Sequence, residues 1–212
     1  MRPLRAIAWD LDGTLLDSEG LHHRALVMAC QAYGVDLFDL PDQAFLGIHV
    51  FDVWNILRPR LPQRLERREW LAAIDGFYIK NNGELAPMPQ AAETISALSA
   101  RGIAQACVSN SSRAVVDANI AALGIRDHIA FSISLDDVSM GKPDPEPYGL
   151  AARRFAVPAA AIAAVEDSAV GAASARAAGL VVVRYAPDGE HVGSGDIWIA
   201  RLSQLLELVG ER

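Results

Sequence analysis

Short apolar runs that stop abruptly at a polar residue and hand over to a helical period recur along this chain. Leu4 to Trp9 ends in Asp10, Ile103 to Val108 ends in Ser109, and Ile162 to Val165 ends in Glu166-Asp167. Phe131 to Ser134 leads into a loop around Gly141-Lys142-Pro143, and Leu180 to Arg184 follows the helix closed by Gly179. Apolar runs of this length, bounded by turn signals, read as buried strands. Between them lie helical patterns from Gln90 to Ala100, from a cap at Ser111 or Ser112 to Gly124, and from the proline loop to Ala156. Strands buried on both faces and alternating with helices predict an α/β fold with a doubly wound parallel sheet.

The first strand is separated from the second by a long stretch of a different kind. Asp17 to Tyr33 is a helical pattern closed by Gly34, and further helical pieces run through Trp54 and from about Arg64 to Asn81, broken by Pro59, Pro62 and Gly83. No strand is predicted between Asp17 and Gly83. The expected organisation is a core made of residues 1–16 and 86–212, with a small all-helical cap, residues 17–85, inserted after the first strand and placed over one end of the sheet. A last amphipathic helix is expected through Leu206.

Charge and composition remove several functional classes. Twenty-six acidic side chains against 19 basic ones leave a formal charge of −7, which excludes a broad basic surface for nucleic acid. No uncharged stretch approaches the roughly 18–20 apolar residues of a membrane span, and Asp10 interrupts the N-terminal apolar run too early for a signal peptide. Cys30 and Cys107 lack metal-ligand spacing, so a reducing, cytoplasmic setting is expected, with a monomer as the simplest state and a dimer as the alternative. Of the 19 basic residues only Lys80 and Lys142 are lysines. A lysine kept in so arginine-rich a chain marks a place for a flexible point charge, although codon bias gives the same pattern.

The polar residues at the strand ends carry the chemistry. In an open α/β sheet, ligands bind outside the carboxyl ends of the strands, and four segments bring acids, a hydroxyl and a cation to that edge. In Asp10-Leu11-Asp12-Gly13-Thr14, residues two apart point the same way in extended backbone, so both carboxylates face one spot. Two close carboxylates repel unless a cation or a proton relieves them. Ser109-Asn110, at a strand end and before a helix, offers a hydroxyl, an amide and free N–H groups to phosphate oxygens, or merely an N-cap. Lys142-Pro143-Asp144-Pro145 is a stiff loop that fixes the approach of Lys142, unless the lysine simply pairs with Asp144 on the surface. Glu166-Asp167-Ser168 suits a hard cation such as Mg²⁺, or a helix cap; Gly171 inside that helix suggests a close approach.

These four segments, in this order, resemble the haloacid dehalogenase-like hydrolase superfamily. DLDGTLLDSE, GKPDPEPY and EDSAVGAASARAAG are most similar to the subgroup of β-phosphoglucomutase and small sugar-phosphate phosphatases. The likeness covers the whole chain, cap included. It implies a Rossmann-like core, with Asp10 as a nucleophile that forms an aspartyl-phosphate and Asp12 as the general acid and then base. It further implies Mg²⁺ held by Asp10, the main-chain carbonyl of Asp12 and Asp167, with Glu166 as ligand or support. Ser109, Asn110 and Lys142 would bind the phosphoryl group. The expected function is a Mg²⁺-dependent phosphatase acting on a small phosphorylated metabolite, a sugar or sugar-acid phosphate.

Four alternatives lie close by. A dehalogenase needs no acid at Asp12 and no acidic pair; a phosphonatase would carry a lysine early in the cap, and Gly47-Ile48-His49-Val50 has none, Lys80 lying at the cap's far end. A β-phosphoglucomutase-like mutase is the leading alternative, since His22 matches a cap histidine of that group. Val50 and Asp75 stand, however, where its basic phosphate-gripping residues are expected. A phosphoacceptor signalling module shares the acids, hydroxyl and lysine but lacks the insert. Substrate selectivity is assigned to cap residues, with Glu19, His22, His49, Trp54 and Lys80 as candidates.

Overall fold

The structure, a computed structural model, describes residues 3–41, 44–45, 48, 50–191 and 193–209. Two compact units divide the chain: Met1–Asp17 with Ala86–Arg212, and Ser18–Leu85.

The first unit is built on a six-stranded sheet in which every neighbouring pair is parallel. Its strands are β1 (Ala6–Trp9), β4 (Ala104–Val108), β5 (Phe131–Ile133), β6 (Ile162–Glu166), β7 (Val181–Tyr185) and β8 (Ile197–Ile199). Their order in space is β5-β4-β1-β6-β7-β8, so the chain winds outward from β1 in one direction and then in the other. The topological switch point therefore falls at β1, whose next residue is Asp10. β2 (Leu16–Asp17) and β3 (Ala86–Pro87) pair antiparallel, so the chain leaves this unit and re-enters it side by side.

Side chains of β1 alternate between the two faces of the sheet. Ala6 and Ala8 join Val108, Ile133, Ile162, Ala164 and Val182 beneath Tyr148 and Ala151 of α6 (Glu146–Phe155) and Ala172 and Ala175 of α7 (Ala169–Ala177). Small residues predominate there, which lets helix and sheet approach closely. On the other face the buried Trp9 indole donates to Gln105 Oε1 at 3.0 Å, and Gln105 Nε2 donates to the Ile95 carbonyl of α4 (Ala91–Ala100) at 2.9 Å. α5 (Arg113–Ala122) begins at Ser112, which accepts from the Val115 N–H at 3.3 Å and is thus the cap that the sequence left open.

The C-terminal segment corrects one expectation. In place of one amphipathic helix through Leu206 there is β8, then a single 3₁₀ turn and the short α8 (Leu205–Leu208). Ile197-Trp198-Ile199 is too brief to show a period of its own, and its strand state comes from pairing with β7.

The second unit contains α1 (Glu19–Ala32), α2 (Val50–Leu57) and α3 (Arg67–Asn81), and no strand among its described residues. α3 starts with a capping box in which the Glu66 N–H donates to Glu69 Oε2 at 3.2 Å. Its buried Trp70 and Tyr78 face α1 and α2: Tyr78 stacks on His22 at 4.4 Å, and Trp70 lies 5.4 Å from Trp54. No helix among the described residues is long and apolar enough to cross a membrane.

The buried Gln105 bridge gives a stability prediction. Gln105→Leu adds apolar surface but leaves the Trp9 N–H unsatisfied, so it should destabilise the protein by about 1–3 kcal/mol in urea unfolding. A variant as stable as the parent would show that the bridge contributes nothing.

Candidate active site

The ends of β1, β4 and β6 and the loop before α6 bring the predicted residues to one edge of the sheet. Asp10 extends the β1 ladder, its N–H donating to the Val165 carbonyl at 3.0 Å, while Leu11 turns fully into the core. Gly13 follows at φ +80°, and a Cβ there would lie 2.3 Å from Asp167 Oδ2. Only glycine allows both that backbone and that proximity. The turn delivers Thr14, whose hydroxyl is 3.1 Å from Asp10 Oδ2 and 3.2 Å from Asp167 Oδ1 and can donate to either.

Lys142 is the centre of the cluster and is only 4% exposed. Its ammonium donates to Asp10 Oδ1 and Glu166 Oε1, each at 2.6 Å, and to the Val108 carbonyl at 2.8 Å. Asp144, its sequence-level surface partner, instead accepts from the Glu146 N–H. The loop that carries Lys142 is held by Asn110. Lys142 N–H donates to Asn110 Oδ1 at 2.8 Å, and Asn110 Nδ2 donates to the Lys142 carbonyl at 3.0 Å. Gly141 makes room for this clamp, since a Cβ would meet Asn110 Oδ1 at 2.8 Å. The Asn110 side chain, expected on phosphate, thus holds the lysine main chain with Oδ1 and one of its two amide N–H groups.

Glu166 is completely buried and fully engaged. Besides Lys142, its Oε1 accepts from the Tyr148 hydroxyl at 2.5 Å, and its Oε2 accepts from Ser168 at 3.1 Å. Ser168 also caps α7, accepting from the Gly171 N–H at 3.0 Å. A Cβ on Gly171 would fall 1.9 Å from Glu166 Oε2, so the glycine expected to permit a close approach does so.

Asp12 occupies a different environment from Asp10. Its Oδ2 accepts from Ser109 at 3.2 Å and from Ser111 at 3.0 Å, and the Ser111 N–H donates to Ser109 Oγ at 3.0 Å. Sequence reasoning missed Ser111, Thr14 and Tyr148 as members of the site. Ser111 was open to discovery, because it repeats the two-residue spacing of Asp10 and Asp12 from the facing strand end.

The electrostatics follow from burial. Desolvation, reinforced by the Glu166 charge, raises the Asp10 carboxyl well above the ordinary range despite the opposing pull of Lys142. Desolvation and Glu166 likewise push Asp167 up to about 6, against the Thr14 hydrogen bond. Burial alone would lower Lys142, but Asp10 and Glu166 outweigh it and hold the ammonium above the ordinary lysine range. Carboxylate oxygens of Asp10, Glu166 and Asp167 lie within 4.8 Å of one another. Three carboxylates grouped near one ammonium, which touches two of them, have room for more positive charge, and an all-oxygen set of this kind fits a hard divalent cation.

Residues 4–179 match the haloacid dehalogenase-like hydrolase family. The chain belongs to this family. Among its relatives is the plasmid-encoded phosphoglycolate phosphatase of Cupriavidus necator, 32% identical over 220 residues, covering 98% of this chain and 94% of that one. Protein CbbY of Rhodobacter capsulatus is 32% identical over 191 residues, or 85% of this chain and 84% of the relative. The crystal structure of a mutant CbbY from Rhodobacter sphaeroides in complex with xylulose-1,5-bisphosphate superposes with a TM-score of 0.85 at 27% identity, covering 97% and 99% of the two chains. The enzyme is a phosphatase of the haloacid dehalogenase-like family.

The cap candidates belong to the chain's second unit. Glu19 is exposed in the first turn of α1, and His22 is stacked on Tyr78. Trp54, a candidate for selectivity, is instead buried against Trp70 with Arg58 over its ring, so it serves the unit's own core. Lys80 lies in the last turn of α3, and His49 is outside the described residues.

Two measurements test the charge arrangement. Lys142→Met removes the ammonium that pairs with Asp10 and Glu166 and should cost about 3–5 kcal/mol of stability in chelator. Asp167 has the opposite sign: its folded pKa, about 6, exceeds the 3.8 of an ordinary aspartate, so its ionisation opposes folding above pH 6. Asp167→Asn should therefore raise the melting temperature of the metal-free protein at pH 7.5, with the gain fading as the pH falls towards 4. A gain that is constant across that range would exclude ionisation as its cause.

Proposed function

We propose that the enzyme hydrolyses small phosphomonoesters, sugar or sugar-acid phosphates, with Mg²⁺ as cofactor and through an aspartyl-phosphate on Asp10. The observation that carries this reading is the division between two carboxylates on one turn. Asp10 is clamped by Lys142 and Thr14 beside the acidic cluster, whereas Asp12 is held by two serine hydroxyls. Carboxylates in contrasting environments are suited to contrasting roles.

In this mechanism an Asp10 carboxylate oxygen attacks phosphorus, and the P–O bond to the substrate alcohol breaks as Asp12 gives that oxygen a proton. Asp12, now a carboxylate, takes a proton from water as the water oxygen attacks the acyl phosphate. Inorganic phosphate leaves and Asp10 is restored. Splitting the hydrolysis in two lets each carboxylate keep one task. Lys142 offsets the charge of the phosphate dianion as it approaches Asp10, and Ser109 supplies a hydroxyl donor. Asn110 acts through the lysine that it holds.

Asp10, Asp167 and the Asp12 main-chain carbonyl would hold Mg²⁺, with Glu166 orienting Lys142 from behind. When bound, Mg²⁺ supplies Lewis-acid stabilisation of phosphoryl charge. The choice of substrate class is supported by the phosphoglycolate phosphatase relative and by the bisphosphate-bound CbbY structure.

The test is phosphate release across a panel of phosphorylated metabolites, with Mg²⁺ and with excess chelator. Activity should require the metal. Asp10→Asn should abolish turnover, and Asp12→Asn should slow it by roughly 10²–10⁴-fold. Undiminished release in chelator would overturn the metal assignment, and near-normal turnover by Asp10→Asn would overturn the nucleophile.

A further inference from the structure

We infer that Arg184 is a positioning residue for Asp167, holding the turn that carries this carboxylate in its cation-binding orientation. The inference rests on the metal-dependent reading above. Arg184 lies in β7, in register with Glu166 of β6, and is 5% exposed. A buried arginine is ordinarily paired with a carboxylate. Among the described residues none is in ion-pair contact with this one, although Glu166 lies opposite it on the neighbouring strand. Its two terminal nitrogens instead donate to the main-chain carbonyls of Asp167 and Ser168, and its Nε has no partner.

A planar guanidinium that grips two successive carbonyls fixes two successive peptide planes. Here those planes determine the directions of two functional side chains. Asp167 is aimed at Gly13 and Thr14, and Ser168 is aimed at Glu166 Oε2 while capping α7. One side chain on β7 thus governs both the proposed cation ligand and the hydroxyl that supports Glu166.

The rest of the chain is shaped to seat this arginine. A Cβ on Gly195 would lie 2.5 Å from Arg184 Cγ, so no other residue fits there without displacing it. Trp198 of β8 presents its ring 5.5 Å from the guanidinium, and His191 stacks on that indole at 4.5 Å. Asp196 pins the same segment to β7, accepting from the Val182 N–H at 2.8 Å. An apolar side chain would fill such a socket without the desolvation penalty of a buried cation. What an apolar side chain lacks is a pair of donors for the Asp167–Ser168 turn.

Charge and positioning give opposite signs, which makes the inference testable. If Arg184 acted only through its positive charge, removing it would deepen the negative potential and tighten Mg²⁺ binding. If it acts by holding the turn, removing it loosens Asp167 and weakens binding. The experiment is calorimetric titration of Mg²⁺ into the unaltered protein, Arg184→Met and Arg184→Lys, with melting temperatures recorded in chelator. Arg184→Met should weaken Mg²⁺ binding by roughly 10–100-fold, as loss of a group that orients a ligand typically does. Arg184→Lys, which can still reach one carbonyl, should fall between. Saturating Mg²⁺ should bring kcat of Arg184→Met back to within about threefold of the parent. Should Arg184→Met not fold, Gly195→Ala leaves the arginine in the sequence but pushes on its Cγ, and should weaken Mg²⁺ in the same direction. Binding that is unchanged or tighter in a folded variant overturns the positioning role while leaving the cation site intact. No Mg²⁺ binding by the unaltered protein would overturn the metal-dependent reading and this inference with it.

Discussion

The ammonium of Lys142 is the interaction on which the site depends. Asp10, Glu166 and Asp167 sit together at the switch point of a parallel sheet, where water is largely excluded and mutual repulsion is strong. One buried cation touching two of the three carboxylates makes their coexistence tolerable, and it leaves the cluster short of positive charge. That shortage is what suits the site to a divalent cation and to the passage of an anionic phosphoryl group. The costs of the arrangement are met locally. Asn110 and Gly141 fix the lysine main chain, and Tyr148 and Ser168 satisfy the remaining Glu166 lone pairs.

What the sequence made legible were the places where one chemistry breaks into another. Asp10, Ser109 and the Glu166-Asp167 pair are visible because each ends an apolar run, and a run of buried residues can end in a charge only where the strand reaches an edge. Gly171 was readable for the same reason, as a residue with no local motive that needed a distant one. Less legible were residues whose task is set by a neighbour far along the chain. Asn110 reads as a phosphate ligand, and nothing near it in sequence tells that it also holds the Lys142 main chain, 32 residues on. Ser111 and Ser112 are alike as helix caps, and only the facing Asp12 tells them apart. β8 had no period to display, and Trp54 gave no sign that Trp70 would enclose it.

The second unit shows how a short helical segment meets its own needs. Its aromatic residues are turned on one another: Trp54 on Trp70, and His22 on Tyr78. A histidine stacked in this way is held by its ring face. That packing ties His22 into the unit's own aromatic contacts.

The pairing of β2 with β3 has a consequence of its own. Leu16 lies opposite Pro87 and Asp17 opposite Ala86, so the inserted segment begins and ends at neighbouring points of one small ribbon. A chain that exits and returns at one place transmits no change of length to the sheet, whatever is spliced in between. The six-stranded framework and its acidic edge could thus persist through descent while the inserted part was lengthened, trimmed or exchanged. Selection on the insert and selection on the strand-end cluster would then act on separable stretches of the gene.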